Sequence, residues 1–153
     1  MIRMEPTASL SDKEIVDLYR NVVMYHELGV KRNYKVKSPC LQKYLKANKI
    51  GIEVGSTTLR PKEQDFLSKR GIGFWFKKPY ESQVASLLRH LRNSVAHCKV
   101  TKQKINNRWY YCFLDQYRGS TTMLGKLPIK LLVEFIGALK SAEVQISKPA
   151  NKR

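Results

Sequence analysis

Tyr80-Glu81-Ser82-Gln83-Val84-Ala85-Ser86-Leu87-Leu88-Arg89-His90-Leu91-Arg92-Asn93-Ser94-Val95-Ala96-His97-Cys98 is the most regular stretch of the 153-residue chain. At about 100° per residue, Val84, Leu87, Leu88, Leu91, Val95 and Cys98 fall on one face, which predicts an amphipathic helix buried along that stripe. Asn93 and His97 fall opposite the stripe. Being four residues apart, they stack one turn above the other, with Arg89 and His90 on the same broad polar side and Arg92 at its flank.

Outward from this helix the pattern stays mainly helical. Ser11-Asp12-Lys13-Glu14 reads as a capping box, and Ile15, Leu18, Tyr19, Val22 and Tyr25 recur behind it at helical spacing, with Gly29 as a C-terminal stop. Ser38-Pro39 opens a second helix that Gly51 would end. Between Gly51 and Pro79 the periodicity is poor: one short helix is expected over Pro61 to Lys69, and Phe74-Trp75-Phe76 reads either as a loop anchor on the core or as a stacking platform beside Lys77 and Lys78. After Cys98, two alternating segments, Lys99 to Gln103 and Arg108 to Leu114, flank Ile105-Asn106-Asn107 and predict a β-hairpin. Leu127-Pro128 opens a last helix with Ile129, Leu132, Phe135, Ile136 and Leu139 on one side. The expectation is an all-α fold, a bundle of four to five helices with a short hairpin after the central helix. A single domain would span residues 9–146, followed by a basic, disordered tail over 147–153.

Lys and Arg number 29 against 12 Asp and Glu, a formal charge of +17 that points to a polyanionic partner. The excess is also local. No carboxylate occurs between Gly29 and Ile52, or between Ser82 and Leu114, so the second bare stretch coincides with the His-Asn helix. Cys40, Cys98 and Cys112 form no CxxC pair, which argues against a disulfide framework or a zinc site and for reduced, buried thiols. No apolar run has signal-peptide or membrane-span length, so a cytoplasmic protein without membrane contact is expected.

Arg92-Asn93-Ser94-Val95-Ala96-His97 resembles the signature of the HEPN superfamily, an Arg followed after four to six residues by His, with a polar residue, often Asn, directly after the Arg. Arg20-Asn21 with His26 satisfies the same relaxed pattern, but counting from Ile15 puts His26 on the apolar stripe and the other two elsewhere. The resemblance implies a metal-independent endoribonuclease without a cofactor. Two protomers would pack their motif helices about a two-fold axis, as suits an Arg and a His about 140° apart on one helix. His97 would serve as general acid or base, because imidazole exchanges protons near neutrality. Arg92 would clamp the scissile phosphate of RNA, and Asn93 would orient His97 or bind phosphate. Arg89, His90 and Lys99 are secondary candidates for contacts to the RNA backbone. No clustered carboxylates suggest a metal site, Asp115 and Glu81 being isolated. Three rival expectations stand beside this one: a non-catalytic nucleotide- or RNA-binding module; a structural or partner-binding module whose basic surface meets an acidic protein, such as one half of a pair of toxin and nucleotidyltransferase-like antitoxin; and a helix-turn-helix reader of DNA. The last lacks a compact second helix after a short turn.

Overall fold

The computed structural model describes residues 7–25, 33–34, 38–55, 72–77 and 82–144. The expected stop at Gly29, the helix over Pro61 to Lys69, the imidazole of His26, Lys78 and the basic tail lie outside them. The described residues form four α-helices and a five-stranded mixed sheet, so the chain is mixed α and β and the all-α expectation is corrected.

The first helix, α1 (Asp12–Leu18), starts on the expected capping box: Ser11 Oγ accepts from the Glu14 N–H at 3.2 Å, and the Ser11 N–H donates to Glu14 Oε1 at 2.8 Å. It continues as a π-helical turn over Tyr19–Val23. Leu18, Val22 and Tyr25 are buried as the spacing predicted, but Ile15 and Tyr19 remain 41% and 39% exposed, so the apolar stripe is wider than the core it meets.

A two-residue strand, β1 (Asn33–Tyr34), precedes α2 (Pro39–Ala47), whose N-cap is Ser38. Gly51 does not terminate α2. The chain turns earlier, through Lys49 at φ 56°, and Gly51 lies inside β2 (Ile50–Gly55). Next come β3 (Ile72–Lys77), α3 (Gln83–Ala96), β4 (Val100–Ile105), β5 (Arg108–Tyr117) and β6 (Ser120–Pro128). A 3-10 turn (Ile129–Leu131) leads into α4 (Leu132–Lys140), and β7 (Glu143–Val144) pairs with β1.

The large sheet runs β2-β3-β6-β5-β4, with β2 and β3 parallel and every other pair antiparallel. The β4-β5 hairpin is the one the sequence predicted. Asn106 and Asn107 both adopt positive φ, 51° and 67°, the geometry a two-residue turn requires and Asn tolerates. Arg118 and Gly119 repeat the device between β5 and β6 at 50° and 82°.

Phe74-Trp75-Phe76 is the middle of β3, neither a loop anchor nor a surface platform. Phe74 and Phe76 face the helices, while Trp75 faces the other way and packs on Leu124. Phe74 stacks on Phe135 of α4 with centroids 5.1 Å apart, and its ring occupies the space where a side chain on Gly125 would stand. Leu87, Leu88, Leu91 and Val95 of α3 join Phe74, Phe76, Tyr111, Phe113, Met123 and Leu127 of the sheet in one core. With 14 residues, α3 is long enough, about 21 Å, to cross the face of the sheet from the end of β3 to the start of β4. That crossing fixes both ends of the helix against strands.

Candidate active site

Two histidines on α3 receive opposite surroundings. His90 and His97 are seven residues apart and so share a helical face within about 20°. His90 nevertheless is 6% exposed. The expectation that it lies on the open polar side is corrected, because that side of α3 at this level meets the sheet.

The His90 ring is held at both nitrogens. Nδ1 lies 2.8 Å from Asp115 Oδ2, and Nε2 lies 2.7 Å from the Lys77 carbonyl oxygen. A carbonyl only accepts, so Nε2 carries a proton and donates. The contact at Nδ1 then completes a buried acid-base pair, with Asp115 itself 4% exposed. Opposite Asp115 and Gln116 the register shifts, Asp115 pairing with Met123 and Gln116 with Thr121, so the extra residue, Thr122, lies in β6. Phe76 packs on the His90 ring at 5.8 Å.

The pair extends outward to the motif. Asn93 Nδ2 donates to Asp115 Oδ2 at 3.4 Å, and Arg92 NH1 donates to Asn93 Oδ1 at 3.2 Å. Lys77, His90, Asp115, Asn93 and Arg92 thus form one polar chain from strand backbone to a half-buried guanidinium. Both ends of the Asn93 amide are engaged within it. Asp115 Oδ2 is thus shared between the His90 ring and the Asn93 amide.

His97 stands outside this chain. It is the C-cap residue of α3, and its exposed ring has no hydrogen-bond partner among the described residues. The structure therefore joins the Arg92 and Asn93 side chains, whereas His97 meets Asn93 through the backbone, its N–H donating to the Asn93 carbonyl at 2.9 Å, with no side-chain hydrogen bond to either. Immediately beyond, Cys98 takes a left-handed backbone at φ 57°; its N–H donates to the Val95 carbonyl at 3.1 Å and the Lys99 N–H to the Ser94 carbonyl at 2.7 Å. These two bonds are the Schellman closure that ends a helix, here without the usual glycine. Lys99 is exposed, and Arg89 is half-buried on the ridge that also carries Arg92.

The expectation of buried thiols holds for Cys112 alone, since Cys40 and Cys98 are exposed. Cys98 leaves the apolar stripe because the chain reverses there. It borders a cavity of about 290 Å3 lined also by Leu10, Ile15, Tyr19 and Val95, so the exposed edge of α1 adjoins the His97 end of α3. A second cavity, about 540 Å3, lies at the opposite end between α2, β2 and Val84, and holds none of the motif residues.

Asp115 was visible in the sequence only as an isolated carboxylate. The signal that assigns it a partner is its phase. Tyr111, Phe113 and Asp115 alternate onto the same face of β5, and a carboxylate in register with buried aromatics requires a buried donor.

Among the described residues, no three His, Cys, Asp or Glu side chains are grouped as a metal ion would need, and no helix is long and apolar enough to cross a membrane. A family model described as HEPN pEK499 p136 matches residues 15–148. No curated protein and no solved structure gives a match.

Proposed function

The chain belongs to the HEPN family described as HEPN pEK499 p136, and on that footing we propose that it is an endoribonuclease that needs no metal and works as a homodimer through Arg92, Asn93 and His97. The observation that carries the reading is the division of labour on α3: a guanidinium tethered through Asn93 to a buried acid-base pair, and one turn beyond it an uncommitted imidazole at the surface.

The chemistry follows from RNA itself. One imidazole takes the proton from a ribose 2′-OH, the oxygen attacks the adjacent phosphorus, and the bond to the 5′-oxygen breaks as a second imidazole returns a proton. The products are a 2′,3′-cyclic phosphate and a 5′-hydroxyl, and the nucleophile is built into the substrate. Arg92 neutralises charge on the phosphorane-like transition state, with its planar fork preset by Asn93. Lys99 and Arg89 supply further positive charge for the RNA backbone. His90 acts from the interior, as the anchor of Asp115.

A single chain offers one His97, so two imidazoles require a second copy. Ile15 and Tyr19 give the surface beside Cys98 an apolar character suited to burial against that copy. The test is digestion of RNA in EDTA with end-group analysis, alongside His97→Ala and a solution mass measurement. Cyclic phosphate from a dimer, lost in His97→Ala with binding intact, is the expected result. A 2′-deoxy substrate that is still cut would refute the mechanism.

One observation favours a second reading, a binding module: no side chain among the described residues orients the His97 ring. In that reading Arg92 and His97 hold phosphate without proton transfer, in a toxin restrained by a nucleotidyltransferase-like antitoxin or in a plain RNA binder. Growth arrest on expression, relieved by His97→Ala, separates a ribonuclease toxin from a binder.

A further inference from the structure

At the far end of the β4-β5 hairpin from His97, the first turn of α1 and the 3-10 turn before α4 leave a cleft of about 400 Å3, lined by Glu14, Lys102, Arg108, Trp109, Ile129 and Lys130. Trp109 is 40% exposed there, an uncommon position for an indole in a chain whose other Trp, Trp75, is 5% exposed in the sheet. Lys102 Nζ sits 5.1 Å from the centre of the Trp109 ring and is also 3.1 Å from Glu14 Oε1.

Glu14, the only carboxylate among the described residues of the cleft, is thereby committed. Burial acts to raise the Glu14 carboxyl, but the hydrogen bonds from the Ser11 N–H, Lys102 and the Ser11 hydroxyl outweigh it and hold the group below its ordinary range. Among the described residues, no carboxylate pairs with Arg108 or Lys130, so the cleft presents uncompensated positive charge around an exposed aromatic face. Positive charge alone recognises any polyanion. An indole beside it adds a surface on which a planar base stacks, whatever its identity.

We infer that this cleft is a base-stacking subsite for single-stranded RNA, with Trp109 as the platform and Arg108 and Lys130 on the flanking phosphates. The inference rests on the RNA reading given above but concerns binding, not cleavage. Trp109 pairs across the hairpin with Lys104, four residues along β4 from Val100. At about 3.3 Å per residue the subsite lies roughly 13 Å along the strand from the His97 end, within reach of a few nucleotides of one strand.

The experiment uses the full chain and a 2′-O-methyl decaribonucleotide, which cannot be cut, followed by tryptophan fluorescence and by anisotropy. Binding should quench Trp109. Trp109→Ala should weaken binding roughly tenfold, about the worth of one stacked base, while Trp109→Phe keeps most of the affinity and guards against a folding defect. An oligonucleotide with abasic positions should bind the native chain about as weakly as Trp109→Ala binds the intact one. Equal affinity for intact and abasic strands overturns the proposal, even if Arg108→Gln with Lys130→Gln weakens both, because the cleft is then an anion site open to an acidic protein. Absence of cleavage by the native chain, with the Trp109 effect retained, refutes the ribonuclease and leaves the subsite standing.

Discussion

His90 and His97 share a helix, a face and a side-chain chemistry, and differ in what lies across from them. At His90 the sheet supplies Asp115 and the Lys77 carbonyl, so both ring nitrogens are committed. Two turns later the helix has passed the edge of that cover, and the same imidazole is exposed at the cap. A helical wheel records direction but not depth along the axis. The difference teaches that availability for chemistry is set by where the helix ends relative to the sheet, which leaves one histidine committed to the interior and the other open to solvent.

The largest effect should come from His97→Ala: RNA cleavage in single-turnover assays falls by about 10²- to 10⁴-fold, while urea unfolding shifts by no more than about 0.5 kcal/mol. The reverse is expected of His90→Ala. It removes the nearer of the two partners that the buried Asp115 carboxyl has among the described residues, and stability should fall by about 3–5 kcal/mol, read as a lowered denaturation midpoint. Joint replacement, His90→Phe with Asp115→Leu, should regain much of that loss. If it does, and cleavage stays weak, the pair acts on turnover through Asn93 and Arg92 as well as on folding.

A third measurement keeps the acid limb of stability from being credited to the histidines. The Glu14 carboxyl is held below its ordinary 4.5, so at acidic pH the unfolded chain binds more protons than the folded one. Its stabilisation is present above that value and is lost as pH falls through the lowered one. Glu14→Gln should therefore be less stable than the native chain at pH 7 and indistinguishable from it near pH 2, by denaturant titration across that range. The smallest effect concerns Cys98. With φ at 57°, Cys98→Gly should stabilise by about 0.5–1 kcal/mol and leave cleavage unchanged, provided the turn only ends the helix.

The sequence made α3, the Ser11 cap, the Ser38 cap and the β4-β5 turn legible, because each rests on contacts within a few residues. It did not make the sheet legible. In β3, Gly73, Phe74, Trp75 and Phe76 are all buried, so no alternation marks the strand. In β6, Gly125 stands where the Phe74 ring fills the side-chain space and Lys126 lies 4% exposed near the Tyr110 ring, neither of which marks a strand in sequence. Burial lowers the Lys126 ammonium from its ordinary pKa, a penalty invisible without the fold. Of the candidate site, the Arg-Asn and His positions were readable from spacing. The Asp115 and Lys77 anchors belong to other strands and were not.

The turn at Cys98 also bears on how a polyanion could approach the end of α3. A helix presents the negative pole of its macrodipole at its C-terminus, where unbonded carbonyls repel phosphate. By donating to the Ser94 and Val95 carbonyls, the Lys99 and Cys98 N–H groups neutralise two of those acceptors beside His97. The residues that stop the helix thus soften the electrostatic barrier at a pole otherwise hostile to anions.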